Sequence, residues 1–162
     1  MPNIAYLSLG SNIGDRKDHL ERALALLKTL GDVAAVSSFY ETEPVEFTGQ
    51  ALFLNCAVAL AAQLSPLDLI AKLLDIERSL GRERIQKKGP RTIDIDILLY
   101  GDQVVNSPDL TVPHPAMAQR RFVLEPLAEI APNARHPVLK KTVAQLLEEL
   151  PPGQNVWKLC KS

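Results

Sequence analysis

Asp94 and Asp96 stand two positions apart in the run Ile93-Asp94-Ile95-Asp96-Ile97-Leu98-Leu99-Tyr100. Alternating apolar and polar types over that run predict a strand, with Ile93, Ile95, Ile97 and Leu99 on one face. Residues i and i+2 of a strand leave the same face with Cα atoms roughly 6.6 to 6.8 Å apart, so both carboxylates can converge on shared cations. Two-metal sites hold their ions about 3.5 to 4 Å apart, a span such a pair can bracket while leaving positions open for phosphate oxygens. Hard oxygen ligands with no adjacent histidine favour Mg²⁺ over zinc. The alternative, a solvated strand face, has against it the depletion of aspartate in strands and the repulsion of neighbouring like charges.

Five cations, Arg82, Arg84, Lys87, Lys88 and Arg91, precede this strand against the single acid Glu83. Gly89-Pro90-Arg91-Thr92 then leads directly into Asp94. Guanidinium groups offer forked donors that match phosphate oxygens, and they stay charged at any working pH. Cations beside metal-ligating carboxylates are what polyphosphate chemistry needs. Taken alone, the same run is more often a solvated loop after a helix C-terminus. No Gly-x-x-x-x-Gly-Lys-Ser/Thr loop occurs, and Gly10 and Gly14 do not form a dinucleotide fingerprint. His114, set between Pro113 and Pro115, is either presented to a phosphate or a turn residue without a role; His19 and His136 have no company that would make them ligands.

The elements that must position these groups read as a βαββαβ series. A strand over 4–9 meets the turn Gly10-Ser11-Asn12-Ile13-Gly14-Asp15, and Leu20, Ala23, Leu24, Leu27 and Leu30 follow at helical spacing, with Gly31 placed to stop the helix. A β-rich stretch over 33–41, a loop around 43–50 and a strand over 53–60 make a hairpin. Ser65-Pro66-Leu67-Asp68 opens a second helix, buried through Leu69, Leu73, Ile76 and Leu80 and ending at Gly81. With the Asp94 strand, this order predicts a ferredoxin-like α+β fold, helices packed on a largely antiparallel sheet. The remainder, with short helices near 123–130 and 143–150 and a terminal Val156-Trp157-Lys158-Leu159, reads as decoration.

Composition narrows the class. The 162 residues, 46% hydrophobic, suit one core, and the longest apolar run, Ala57 to Ala62, is too short to span a bilayer. Without a secretory leader at the N-terminus, the expected compartment is the cytoplasm. A net charge of −1 gives no nucleic-acid footprint. Cys56 and Cys160 match no ligand spacing and read as reduced structural thiols.

With these residues assembled, the chain resembles the 6-hydroxymethyl-7,8-dihydropterin pyrophosphokinases of folate biosynthesis, through Gly10-Ser11-Asn12, Ser38-Phe39-Tyr40-Glu41-Thr42, Phe53-Leu54-Asn55, Gly81-Arg82-Glu83-Arg84, Gly89-Pro90-Arg91-Thr92-Ile93-Asp94-Ile95-Asp96 and Thr111-Val112-Pro113-His114-Pro115. The resemblance implies a single pyrophosphokinase domain over 1–162 that transfers diphosphate from ATP to the pterin hydroxymethyl oxygen, releasing AMP. It implies that Asp94 and Asp96 hold two Mg²⁺ ions on the triphosphate, and that Arg82, Arg84, Arg91, His114 and Arg120 contact phosphates. Arg82 and Arg91 join the two aspartates as the catalytic set. Asn55 would hydrogen-bond the pterin, Thr42 and Val45 line its pocket, and Phe53 and Phe122 sandwich the ring. Flat heterocycles do favour aromatic faces with a few fixed polar groups. The expected partners are ATP and the reduced hydroxymethylpterin, with no nucleic acid or membrane, and the expected state is a monomer. Two rivals share the topology: a nucleotide-binding module without turnover, and an RNA-binding module, whose aromatic-rich strands are missing here.

Overall fold

The computed structural model describes residues 3–42, 52–81 and 93–159. Its main sheet contains β1 (Asn3–Ser11), β2 (Gly31–Val36), β3 (Tyr40–Thr42), β4 (Phe53–Ala62) and β5 (Asp94–Tyr100). β1 lies between β4 and β5 and runs antiparallel to both, and β2 and β3 both pair with β4 on its far side. Helices α1 (Arg16–Leu27) and α2 (Pro66–Ser79) complete the βαββαβ series and the ferredoxin-like fold. Each helix starts as its sequence dictates. Asp15 accepts the Asp18 amide at 3.1 Å, and Ser65 accepts the Asp68 amide at 3.1 Å ahead of Pro66.

Strand periodicity divides the sheet into two faces. Leu7, Leu9, Cys56, Val58, Leu60, Ile95 and Ile97 turn toward Leu20, Ala23 and Leu27 of α1 and Leu69, Leu73 and Ile76 of α2. Burial pushes the Cys56 thiol up to about 12, which leaves it protonated and inert. The opposite face is half covered by α3 (Arg121–Ile130) and α4 (Val143–Glu148), which bury Ala57, Leu98 and Leu99 under Val123, Leu124, Leu127, Val143 and Leu146.

Several expectations shift in register. Leu99 does not share a face with Ile97, because a bulge opposite Tyr6 and Leu7 inserts Leu98 and turns Leu99 to the α3 side. The stretch 33–41 is two strands. Its break lies at Ser37, whose hydroxyl accepts the Ala57 amide at 2.8 Å where a backbone carbonyl would otherwise stand. Helix α1 ends at Leu27, and Gly31 instead begins β2, where a Cβ would collide with the Ala61 carbonyl. Gly81 does end α2, at φ 88°. The C-terminal additions go beyond decoration: β6 (Val156–Lys158) pairs with β3 and extends the sheet. Among the described residues no helix is long and apolar enough to cross a membrane.

Candidate functional site

The uncovered part of the α3 face carries the predicted polar residues. Register places Asp94 opposite Gly10 and Asp96 opposite Ser8 on β1; across β1, Gly10 faces Asn55 and Ser8 faces Ala57 on β4. Both aspartates are half-buried, whereas Asn55 is 4% exposed. β1 thus lays a floor of small residues between the β5 carboxylates and the β4 amide. With strands about 4.7 to 4.9 Å apart, the two sides are separated by roughly 9 to 10 Å.

Asn55 is fixed on that floor. Its Nδ2 donates to Thr42 Oγ1 at 2.6 Å, and its Oδ1 lies over Gly10 so closely that a Cβ there would stand 2.5 Å from it. Gly10 serves close approach here, with no special backbone angle. Phe53 is two residues before Asn55 on β4 and pairs with Thr42, so these three share one corner of the face.

The other predicted groups come from the chain after β5. The His114 amide donates to the Leu98 carbonyl at 2.9 Å, fastening its turn to β5. His114 Nδ1 accepts the Ala116 amide at 3.1 Å, which puts the ring proton on Nε2. Burial, then the charge of Arg120, holds this imidazole below its ordinary pKa against an opposing pull from Asp94. His114 is therefore a neutral donor lying within the fields of both groups. Arg120 precedes α3, and its guanidinium covers one face of the Phe122 ring at 5.6 Å from the centroid. A planar ligand would meet Phe122 on the other face or displace Arg120. Val45, Arg82, Arg84 and Arg91 lie outside the described residues.

Several positioning groups escaped the reading of motifs. Glu77 of α2, 3% exposed, accepts the Ile95 amide at 2.7 Å and so holds β5 between its two aspartates. An acid directly beside the apolar stripe Leu69, Leu73, Ile76 was the available signal. Glu129 of α3 accepts the Ser38 amide at 2.8 Å, the Ser38 hydroxyl at 3.1 Å and the Tyr40 hydroxyl at 2.6 Å, tying α3 to the break between β2 and β3. Burial would raise the Glu129 pKa, but the Tyr40 and Ser38 bonds and nearby Lys158 outweigh it and hold it low. Burial and Glu129 push the Tyr40 hydroxyl well above its ordinary value. Helix α3 lacks a cap of its own, and Gln154 supplies one: it accepts the Arg121 amide at 2.6 Å and donates to the Gln119 carbonyl at 2.9 Å, bracketing Arg120.

Among the described residues no cluster of three or more His, Cys, Asp or Glu groups could cage a metal. Asp94 and Asp96, with hard oxygens on one open face, fit a cation that completes its shell with phosphate and water, as Mg²⁺ does.

The family model for 7,8-dihydro-6-hydroxymethylpterin-pyrophosphokinase (HPPK) matches residues 6–132. The chain is 46% identical over 160 residues to the 2-amino-4-hydroxy-6-hydroxymethyldihydropteridine pyrophosphokinase of Bacillus subtilis (strain 168), covering 98% of this chain and 92% of that one. It is 39% identical over 155 residues to the protein of the same name in Aquifex aeolicus (strain VF5), covering 96% and 94%. Among solved structures it resembles the wild-type HPPK-DHPS of Plasmodium falciparum with pteroate, at a TM-score of 0.74 and 18% identity, over 92% of this chain and 42% of that one. The chain thus spans less than half of that solved chain, and the likeness concerns the fold.

Proposed function

This chain belongs to the 7,8-dihydro-6-hydroxymethylpterin-pyrophosphokinase family, and from that premise we propose that it transfers diphosphate from ATP to the hydroxymethyl group of 6-hydroxymethyl-7,8-dihydropterin, a step of folate biosynthesis. The hydroxymethyl oxygen attacks the β-phosphorus of ATP, and the bond from that phosphorus to the oxygen shared with the α-phosphorus breaks. AMP leaves with that oxygen, the hydroxyl proton passes to solvent or a basic oxygen, and the pterin carries two phosphates.

One observation carries the assignment of roles: Asp94 and Asp96 face Asn55 and Thr42 across the small-residue floor of Gly10 and Ser8. The β4 corner takes the pterin, with the Asn55 and Thr42 polar atoms reading its edge and Phe53 and Phe122 supplying aromatic faces. The β5 side takes the polyphosphate. Asp94 and Asp96 would hold Mg²⁺, two ions in this reading, and when bound the metal neutralises phosphate charge. His114 donates from Nε2 without adding charge, and Arg120 can leave the Phe122 ring for a phosphate oxygen. Arg82, Arg84 and Arg91 complete the phosphate contacts, with Arg82 and Arg91 stabilising charge in the transition state. The chain acts as a monomer and a single domain over 1–162.

Incubation with ATP, Mg²⁺ and the reduced pterin tests the reaction. AMP with a doubly phosphorylated pterin is the expected result. ADP with a monophosphorylated pterin would overturn the reaction class, and nucleotide binding without either product would favour a module that binds without turnover.

A further inference from the structure

Arg16 opens α1 on the helix side of the sheet, yet its two terminal nitrogens reach both chain ends that meet at the pterin corner. Nη1 donates to the Leu52 carbonyl at 2.9 Å, and Nη2 pairs with Glu41 Oε2 at 3.0 Å. Leu52 immediately precedes Phe53, and Glu41 immediately precedes Thr42. Both members of the ion pair are partly buried, at 29% and 28% side-chain exposure, so the contact is sheltered from full screening.

The need for such a grip follows from the strand it holds. β3 is three residues long; its pairing with β4 runs only from Tyr40 opposite Asn55 to Thr42 opposite Phe53, and its other edge meets only the equally short strand Val156–Lys158. Short terminal pairings of this kind open readily. Glu41 pairs with Leu54, which packs against α1, so Glu41 points to the helix side and its neighbour Thr42 points into the site. Fixing Glu41 from behind therefore fixes Thr42 in front, and with it the 2.6 Å bond that orients Asn55. Holding Leu52 does the same for the start of β4 and for Phe53.

We propose that Arg16 is a positioning residue for pterin recognition, a fork that locks the end of β3 and the start of β4 so that Thr42, Phe53 and Asn55 keep one arrangement. The inference rests on the assignment of that corner to the pterin. A planar guanidinium can satisfy two acceptors in different directions at once, whereas an ammonium is a point charge on a flexible stem. Lysine at position 16 should thus restore part of the effect.

The test measures equilibrium binding of the reduced pterin and of ATP, steady-state kcat and thermal melting for Arg16→Met, Arg16→Lys, Glu41→Gln and the reference Asn55→Ala. Arg16→Met should weaken pterin binding by about tenfold, the scale of one charge-assisted hydrogen bond. ATP binding should stay within about twofold and kcat within about threefold, and Arg16→Lys and Glu41→Gln should fall between Arg16→Met and wild type. These two milder variants carry the test if Arg16→Met does not fold. Unchanged pterin binding in the folded Arg16 variants, while Asn55→Ala weakens it, would overturn the inference alone. Equal losses for ATP and pterin that track the melting temperature would reduce Arg16 to a structural role. Unchanged pterin binding in Asn55→Ala would instead remove the pocket assignment beneath the inference.

Discussion

Gly10→Ala should test the floor of the site with a single methyl group. An alanine Cβ at that position would stand 2.5 Å from Asn55 Oδ1 and 3.5 Å from Phe53 Cδ1. Unstrained carbon–oxygen contacts begin near about 3.3 Å, so the first overlap is roughly 0.8 Å. Asn55 is 4% exposed and its amide is bonded to Thr42, so it cannot rotate away without breaking that bond in a buried place. Leaving a buried polar group unpaired costs about 1 to 3 kcal/mol, which sets the expected loss of folding stability. Because about 1.4 kcal/mol is tenfold in affinity, the displaced amide should weaken pterin binding by roughly tenfold or more. All three nearest atoms belong to β4 residues of the proposed pterin corner, so ATP binding should remain within about twofold. Urea unfolding and calorimetric titration of both ligands would measure these effects. A double-mutant cycle isolates the cause. In an Asn55→Ala background the methyl meets no amide, and most of its stability cost should vanish. If the two substitutions add within about 0.3 to 0.5 kcal/mol, they do not interact and the steric account of Gly10 is wrong.

Asp94→Asn and Asp96→Asn should each lower kcat by at least about 10²-fold at millimolar Mg²⁺, since each removes charge from the proposed cation site; turnover near wild type for either would refute the metal assignment. Burial depresses the pKa of both His114 and His136, so the unfolded chain binds more protons once pH drops toward their unfolded value of about 6.5. Stability should therefore be full above that pH and fall on acidification through it, a window above the carboxylate range; a melting temperature flat from pH 7.5 to 5.5 would contradict this. Glu129→Ala strips the acceptor from the Ser38 amide, the Ser38 hydroxyl and the Tyr40 hydroxyl, and should cost about 2 to 3 kcal/mol in denaturant unfolding, with Glu129→Gln losing less.

What was legible in the sequence was whatever repeats at a local period. Apolar spacing in α1 and α2 and alternation in β1, β4 and β5 give the βαββαβ order, and the same alternation places Asp94 and Asp96 on one face. Register within the sheet was less accessible. The Leu98 bulge is invisible in an apolar run where every residue is buried on one side or the other. The break at Ser37 depends on a hydroxyl substituting for a carbonyl toward Ala57, twenty positions away. A run of β-branched and aromatic types cannot announce it.

The division between chemical and positioning residues follows from the same physics. Groups proposed to meet substrate must project from one face, so strand period gathers them: Asp94 with Asp96, and Phe53 with Asn55. Groups that hold those residues in place act across the sheet or between layers, where sequence distance carries no signal. Glu77 reaches Ile95 across 18 positions, Arg16 reaches Leu52 across 36, and Glu129 reaches Ser38 across 91. Each is a charged side chain whose partner is at least in part backbone, and backbone acceptors and donors are alike at every position. A motif therefore names the residues proposed to touch the ligands, while the residues that decide their geometry appear only once the chain is folded. Gly10 joins the two classes: it lies within the Gly10-Ser11-Asn12 motif, yet its role is to leave room for an amide 45 positions away.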